Sequence, residues 1–306
     1  MPNPALLRPY DPATGLRPIF DSIFKKAVDS SAVMTLAPKM NITGNGKTIA
    51  IINDEDDAVP VVEGMKKPEL NPTVEPKYVV PYTFAKIFTM SKQYRRDYSA
   101  IYQELMKRAP GAIARGFDRA VFGAYSSPGT GFYQLSSASG VNLAQTEGVW
   151  DALVEADTAI AVADGMLDGW ALSVQGRAIV LRAKDNNGMP IYVSPSLTGS
   201  LPSLYGLPAK IAKRAYIPGT PNTVGFGGDW SQSGYGIVGS SYNIDIAKEA
   251  TINGVNLFEN NLIGVRVEAD LAFVMADPAL FVKLLDGEPV DEPEDPEDPG
   301  EGETNG

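Results

Sequence analysis

The stretch at 77–124 decides the fold class of this chain: KYVVPYTFAKIFTMSK over 77–92, then QYRRDYSAIYQELMKRAPGAIARGFDRAVFGA over 93–124. The first part is rich in Val, Tyr, Phe and Ile and too short between breakers for a helix, which predicts an extended strand. In the second part, apolar residues recur at helical spacing and predict one amphipathic helix. They are Tyr98, Ile101, Leu105, Ala109, Ala112, Phe117, Ala120 and Ala124. A helix over 97–123 would be roughly 40 Å long.

Pro110 interrupts this helical pattern, because proline has no N–H to donate to the carbonyl of Met106. Gly111 follows it directly, so the segment forms either one kinked helix or two shorter helices joined at the Pro-Gly step. The apolar stripe keeps its phase across the break, which favours the kinked helix. Pro110 and Gly111 are therefore a candidate hinge.

The charge of the chain is concentrated at one end. The 306 residues are 44% apolar, enough for one large domain or two modest ones, and carry a formal net charge of −11. Residues 286–306 contain ten acidic and no basic residues. That segment is rich in Pro and Gly, which predicts a disordered acidic tail. The remaining 285 residues hold 26 basic and 27 acidic residues, so the body is nearly neutral.

The absence of Cys and His restricts the possible chemistry. It excludes disulfides, Cys/His zinc sites and catalytic arrangements that use a thiolate or an imidazole. No phosphate-binding loop occurs, and Gly225, Gly227 and Gly228 do not complete a dinucleotide fingerprint, so we interpret them as a turn between strands. We expect no enzyme activity, no cofactor and no metal site. An enzyme that uses carboxylates is the remaining alternative, and size-exclusion chromatography would separate it from a self-assembling protein.

The N-terminal third contains two segments with little to bury. Residues 1–43 are proline-rich and predict an extended arm with a weak helix at 20–33. Residues 44–76 contain two β-prone runs, at 48–52 and around Val61, joined by a polar turn, which predicts a long hairpin or loop. Both should be ordered by lying against something else. No apolar run approaches the roughly 20 residues of a membrane span.

The C-terminal half predicts an α/β layer followed by strands. Residues 147–164 predict a helix ending at Gly165, residues 170–174 a strand and residues 176–184 a short helix. The apolar side of the first helix should hold Trp150, Leu153, Ala156, Ile160 and Val162. Beyond Gly206 the sequence is β-rich and ends in a predicted strand pair with Val265, Val267, Phe273 and Met275 facing inward. The fold class is α+β.

Charge is distributed unequally between the hairpin and the long helix. Residues 45–75 contain seven acidic and three basic residues, whereas 86–119 contain eight basic and three acidic ones. Either these are two solvated surfaces, or the acidic loop of one copy lies over the basic helix of a neighbour. The candidate inter-subunit contacts are Asp54, Glu55, Asp56, Asp57, Lys66, Lys67, Lys107, Arg108, Arg115 and Arg119.

These segments, in this order, resemble the major capsid proteins of tailed bacteriophages, which have the Hong Kong 97-type fold. The resemblance covers about residues 1–285 and rests on six features. They are the proline-rich start, the acidic loop, the strand and helix ending in DRAVFGA (118–124), LYGLP (204–208), FGGDWSQ (226–232), and VRVE (265–268) with DPALF (277–281).

The resemblance implies a shell subunit with an N-terminal arm, an extended β-hairpin loop (the E-loop), a peripheral domain and an axial domain. Mapped onto this chain, these are 1–43, 44–88, 89–145 with 252–285, and 146–251, and the long helix is the spine of the peripheral domain. Such subunits form pentamers and hexamers of an icosahedral shell around double-stranded DNA, which they contact weakly and without specificity. The protein would belong to the virion and assemble in the host bacterial cytoplasm. The alternative is an encapsulin-like shell that encloses cargo protein.

Two features differ among members of this family. Many begin with a cleaved scaffolding segment, whereas here the arm follows Met1, so scaffolding would come from a separate protein, which we expect, or not be needed. A portal and possible decoration proteins are further expected partners. Some members join subunits through a Lys-Asn isopeptide bond assisted by Glu. Lys66 and Lys67, with Asn260, Asn261 and Glu268, are the residues that such a bond would use, although exposed Lys and turn Asn are commonplace.

Overall fold

The computed structural model describes residues 31–53, 60–67, 73–92, 99–143, 148–184, 203–239 and 242–287; the side chains of 52, 53 and 99–107 are outside the description. The helices are α1 (Val33–Leu36), α2 (Ser99–Phe122), α3 (Val149–Val162) and α4 (Val174–Arg182). The strands are β1 (Lys39–Ile42), β2 (Lys47–Asn53), β3 (Thr73–Val79), β4 (Tyr82–Ser91), β5 (Ser139–Asn142), β6 (Gly169–Leu172), β7 (Ser203–Leu204), β8 (Leu207–Ile211), β9 (Thr223–Gly228), β10 (Ser233–Val238), β11 (Asn243–Ala247), β12 (Thr251–Ile252), β13 (Val255–Asn256), β14 (Leu262–Met275) and β15 (Phe281–Leu285). The chain is therefore α+β, as the sequence predicts.

Strand β14 is the centre of the first sheet, which we call sheet I. One of its edges pairs antiparallel with β4. Its other edge pairs antiparallel with β10 and then with β11, and β1 adds to β10 in parallel. The sequence predicts a strand pair here, but no turn residue breaks the segment, and it forms one strand of 14 residues.

The two faces of sheet I bury different partners. Val265, Val267, Phe273 and Met275 are buried in the largest apolar cluster together with Phe117 of α2, so the predicted inward positions are confirmed. The alternate residues Ala272 and Val274 belong to a smaller cluster with Ile42 and Val79. The period of two along a strand explains why neighbouring residues enter separate clusters.

Part of the predicted N-terminal arm belongs to the body of the protein. Ser31, Val33 and Met34 are buried, and β1 is an edge strand of sheet I. The expectation that 1–43 has little to bury is therefore wrong for 31–42, because Val33 and Met34 pack in the same cluster as Phe117. Residues 1–30 lie outside the described residues.

The second sheet, sheet II, has the order β5-β15-β9-β6-β8-β7. Helix α3 packs on one face with Ala152, Leu153, Ala156 and Ile160. The other face contributes Phe226, whose ring stacks on Phe122 at the end of α2 with the centroids 4.9 Å apart. This contact joins sheet II to the long helix.

Strand pairing divides the chain differently from the predicted domain boundaries. Strands β10 and β11 fall in the predicted axial segment but pair within sheet I. Strands β5 and β15 fall in the predicted peripheral segments but pair within sheet II. The sequence order of strands does not reveal these crossings, because β14 takes its neighbours from distant segments.

Two local predictions need correction at Pro81 and around α3. The predicted strand over 77–92 is two strands, since the break at Val80 and Pro81 separates β3 from β4. Trp150 and Val162 of α3 are exposed rather than packed with Leu153. Its C-terminal left-handed residue is Asp164, with φ of 57°, and not Gly165.

The glycines at 225, 227 and 228 lie inside β9 and not in a turn, which corrects the sequence interpretation. A Cβ on Gly227 would lie 2.4 Å from the Trp170 ring, and one on Gly228 would lie 2.1 Å from the Phe281 ring. Both rings are fully buried. Glycine is therefore required so that two large rings can pack directly against the backbone of β9.

We expect Gly228→Ala to lower the free energy of unfolding by about 1–3 kcal/mol, because the buried Phe281 ring has no space to move away. Gly44→Ala is the matched control, since a Cβ there meets nothing within 4 Å. Thermal unfolding of the two variants measures the difference. Equal unfolding midpoints would contradict the packing role of Gly228.

Candidate assembly surfaces

The β2–β3 hairpin is the most exposed regular element of the described chain. Its strands pair over seven residues, from Lys47 opposite Val79 to Asn53 opposite Thr73, so a long hairpin is present. The predicted limb at 48–52 lies in β2. The second limb is Thr73–Val79 and not the predicted run around Val61, which lies in the connection between the strands. A two-stranded hairpin is marginally stable in water unless it packs against something. Its contacts with the body therefore determine how much of it can be stable in one chain.

The base of the hairpin is fixed to sheet I by β3. Val79 is fully buried in the cluster with Ala272 and Val274. The ammonium of Lys77 donates to the carbonyl of Ala276 and lies 5.5 Å from the centroid of the Tyr133 ring. A charge-assisted hydrogen bond and a cation–π contact thus hold the strand at the point where it leaves the body.

The described part of the hairpin beyond this base exposes apolar side chains. Val74 and Tyr78 of β3 are exposed. In the connection between the strands, Val62 is 77% exposed and Met65 is 69% exposed, in a turn closed by the hydrogen bond from Met65 N to Val62 O. Grouped exposed apolar residues mark an interaction surface.

The candidate contact residues of the hairpin are only partly described. Asp54, Glu55, Asp56 and Asp57 lie outside the described residues, so their role stays a prediction. Lys66 and Lys67 are exposed in the same connection as Val62 and Met65. The connection therefore combines apolar side chains with two ammonium groups.

The basic residues of α2 are not equivalent. Arg108 and Arg115 are exposed, and their spacing of seven places them on one face of the helix. Arg119 continues this face, but its Nη1 donates to the hydroxyl of Tyr125 at 2.7 Å and its guanidinium lies 5.4 Å from that ring. Lys107 is in the helix, and its side chain lies outside the description. Arg115 is consequently the best-defined candidate contact on this face.

The candidate hinge lies in the middle of an unbroken helix. Helix α2 runs from Ser99 to Phe122, about 36 Å, with Pro110 inside it, so the alternative of two separate helices is wrong. Pro110 and Gly111 are both buried. Proline leaves the carbonyl of Met106 without its helical donor, which is the local weakness that a hinge requires. Bending at this position stays a prediction.

A buried carboxylate joins α2 to the first described residues. Asp118 is 2% exposed; it accepts hydrogen bonds from Ser31 Oγ at 2.5 Å and from Ala32 N at 3.1 Å. Burial raises the pKa of Asp118 to about 6, although these hydrogen bonds and Arg214 act in the opposite direction. In the sequence, the sign of this site is an acidic residue directly after Phe117, which lies on the apolar stripe of the helix. A count of charges along the segment does not detect it.

Sequence reasoning also missed the outer face of α3. Val162, 80% exposed, follows Trp150 and Val154 along the solvent side of the helix, and Met166 is exposed just after it. The available signal was the presence of apolar residues on both sides of the helix, which is unusual for a helix covered on one side only. This face is a second exposed apolar surface.

The described residues show no feature of a catalytic centre that holds a metal. They contain no group of three or more Asp and Glu side chains arranged to hold an ion. Among them, no helix is long and apolar enough to cross a membrane. The geometry thus offers surfaces for association.

Comparison with known proteins identifies the family of this chain. The model of the phage capsid family matches residues 16–285. The chain belongs to the phage capsid family. The probable major capsid protein gp17 of Mycobacterium phage D29 is 28% identical to this capsid-family chain over 286 residues, covering 85% of the chain and 86% of the relative. The corresponding protein of Mycobacterium phage L5 is 28% identical over 282 residues, with the same coverage.

Solved structures show that the fold is shared as well. A chain of Gordonia phage Cozz superposes with a TM-score of 0.71 at 18% identity, covering 83% of this chain and 86% of that one. A chain of Mycobacterium phage Bobi gives 0.70 at 20% identity, covering 84% and 90%. The capsid of a native GTA particle gives 0.64 at 13% identity, covering 84% and 90%. The capsid-family fold is therefore preserved where sequence identity is low.

The candidate crosslinking residues are not gathered in one copy. Asn261 precedes β14 and Glu268 lies seven residues further along the chain, a separation of about 23 Å in an extended strand. The carboxylate of Glu268 also forms an ion pair with Arg266, whose Nε lies 3.1 Å away. Any isopeptide bond would therefore need Asn and Glu from different copies, and the crosslink stays an open prediction.

Proposed function

We propose that this chain is the major capsid protein of a tailed phage with the Hong Kong 97-type architecture. Its copies form pentamers and hexamers that close into an icosahedral shell around double-stranded DNA, so the protein resides in the virion after assembly in the host bacterial cytoplasm. Membership of the phage capsid family and the shared fold support this function. The relatives are named as phage capsid proteins, which disfavours a cargo-enclosing nanocompartment.

The observation that supports this proposal most is the hairpin. It is fixed to the body at its base and is exposed to solvent along the rest of its described length. Val79 and Lys77 fix β3 to the body, whereas Val62, Met65 and Val74 are exposed in the part of the chain that the structure describes. A neighbouring copy that covers them removes apolar surface from water, which is favourable by about 25 cal/mol per Å². The hairpin therefore acts as the E-loop, which overlaps the adjacent subunit.

The sheets supply the two domains of this proposal, with boundaries revised by the strand pairing. Sheet I and helix α2 form the peripheral domain, and α2 is its spine. Sheet II and helix α3 form the axial domain, near the centre of each capsomer. The arm is 1–30, since residues 31–42 pack in the body.

The packaged DNA needs only weak contact with this shell. The body is nearly neutral, and tight nucleic-acid binding requires many Lys and Arg contacts with phosphates. Confinement of the DNA does not require such contacts. A separate scaffolding protein, a portal and decoration proteins complete the proposed set of partners.

Purified protein should form capsomers or shells, and Val62→Asp with Met65→Asp should reduce their yield at least several-fold. The change places charge on the surface that a neighbour would cover, where an unpaired carboxylate is costly. Size-exclusion chromatography and electron microscopy measure the yield, and nucleic acid in the particles distinguishes a virion shell from a cargo shell. Thr251→Asp with Val255→Asp, exposed positions outside the hairpin, adds the same charge and is the control. A stable monomer of the unmodified chain would overturn the proposed function.

Charge reversal tests the pairing of the acidic loop with α2. We expect Asp56→Lys with Asp57→Lys to weaken assembly most at low salt, because like charges would then face the exposed Arg115 of a neighbour. Adding Arg115→Glu in the same chain should restore part of the yield. Glu249→Lys with Glu259→Lys, exposed and outside both segments, makes the same change in net charge and is the control. Assembly that is unaltered at every salt concentration would remove this contact from the proposal.

Replacement of Pro110 tests the hinge. Ala at this position supplies the N–H that the carbonyl of Met106 lacks, so Pro110→Ala should stiffen α2. We expect an unfolding midpoint that is unchanged or higher, together with fewer closed shells for a given amount of capsomer. Electron microscopy gives the size distribution, and calorimetry gives the midpoint. An unchanged shell size and yield would leave the hinge without support.

A further inference from the structure

Asp118 connects the long helix to the point where residues 1–30 join the body. Its two carboxylate oxygens accept from Ser31 Oγ and Ala32 N, residues that are 87 and 86 positions away in sequence. The same Ser31 Oγ accepts from Met34 N at 3.1 Å, and Thr35 Oγ1 donates to Ser31 O at 2.6 Å. One carboxylate thus organises the first turn of the docked segment.

In the described part of the chain, Asp118 accepts the hydrogen bonds that join the docked segment, residues 31–36, to α2. Val33 and Met34 contribute buried apolar surface, and the carbonyls of Ala32 and Val33 accept from Leu36 N and Ala37 N within the segment itself. Docking therefore combines buried apolar contacts in the largest cluster with the Asp118 hydrogen bonds. If those hydrogen bonds become costly, the free energy of docking decreases and the apolar contacts supply the rest.

The charged groups around Asp118 leave its carboxylate only partly compensated. Arg214, in the turn Lys213–Ala215, is the cation that faces it, and Arg214 Nε is buried without a hydrogen-bond partner. On α2 itself, Arg115 is exposed and Arg119 binds Tyr125. On β14, Arg266 and Glu268 pair with each other, and Lys86 of β4 is exposed.

We propose that Asp118 and residues 31–36 form a proton-operated latch, which is closed when the carboxyl is neutral and loosened when it is charged. In the neutral state, the carboxyl still accepts from Ala32 N and shares a hydrogen bond with Ser31 without placing a charge in the dry site. In the charged state, water reaches the carboxylate when residues 31–36 lift away from α2. The latch would set how firmly the N-terminal segment is held to each subunit.

The direction of the pH dependence follows from the raised pKa. Because burial raises the pKa of Asp118 to about 6, the docked state binds a proton more tightly than the open state, where the carboxyl is hydrated. Docking is therefore strongest in acid and weakens as the pH rises through about 6. Between about pH 5 and pH 7.5, the opening equilibrium constant should increase about tenfold if the open-state pKa is normal.

Amide hydrogen exchange of the full-length protein, kept in one assembly state, tests the latch. After correction for intrinsic exchange, the protection of Leu36 and Ala37 should fall about tenfold from about pH 5 to pH 7.5. The amides of Val265 and Val267 in β14 report the core and should not follow this change. Protection of residues 36 and 37 that is independent of pH would overturn the proposal.

Two variants separate the latch from a purely structural role. Asp118→Asn removes the titration, so the pH dependence at Leu36 and Ala37 should disappear. Asp168→Asn is the matched control, since burial also raises the pKa of Asp168, which accepts hydrogen bonds from Trp230 N and Ser231 N elsewhere in the fold. This variant should keep the pH dependence at Leu36 and Ala37.

If Asp118→Asn does not fold, Ser31→Ala provides the test. Loss of its hydroxyl donor should move the midpoint of the exchange transition to higher pH, and an unmoved midpoint contradicts the latch.

Discussion

The antiparallel pairing of β14 on both edges is the constraint on which the rest of the structure depends. Ten residue pairs join it to β4, and its opposite edge is filled by β10 and β11. These segments are far apart in sequence, so the sheet forms only after long loops have closed. Once β4 is in register, the hairpin that precedes it and the helix that follows it have fixed points of departure. The projecting element and the spine helix are thus positioned by one strand.

This arrangement gives the hairpin two parts, a base that packs against sheet I and an outer part that exposes apolar side chains. Val79 is buried in the core cluster beneath sheet I, whereas Tyr78, one residue earlier, is exposed. The apolar surface that stabilises most sheets is absent beyond this point, because no third strand or helix covers β2 and β3 among the described residues. In the proposed shell, a neighbouring copy supplies this cover. A fold that completes itself only in a neighbour is suited to a shell.

Periodic patterns in the sequence predicted the elements that depend on local rules. The inward positions Val265 and Val267 follow from the period of a strand and are confirmed. The apolar stripe of α2 is confirmed at Ala109, Phe117 and Ala120, whereas its residues 98, 101 and 105 lie outside the described side chains. The pairing partners of β14 could not be predicted, because register between distant strands leaves no local signal. The same limit applies to Gly227 and Gly228, whose role depends on rings at Trp170 and Phe281 that reach them only in three dimensions.

The candidate assembly surfaces, too, could be predicted only in part from the sequence. The sequence predicted a long acidic hairpin and a basic helix, and the hairpin is present with Lys66 and Lys67 exposed. Counting charges treated all ionisable groups on α2 as surface groups, yet Asp118 is buried and Arg119 is held by Tyr125. The number of charged residues in a segment is therefore larger than the number that a partner can contact. The difference depends on which side chains are buried, and burial is decided by tertiary packing.

A subunit that must stay soluble before assembly and adhere afterwards has to keep its adhesive surface from associating indiscriminately. The exposed connection of the hairpin places Glu63, Lys66 and Lys67 among Val62 and Met65, so each apolar side chain has a charged neighbour. A partner that offers apolar surface alone would not match the charges of Glu63 and Lys67, whereas a partner with charges in matching positions satisfies both requirements. Charged residues among the apolar ones lower the affinity of the hairpin for unrelated apolar surfaces more than its affinity for the matching surface of a neighbouring subunit. Specificity of assembly thus follows from residues that weaken each single contact.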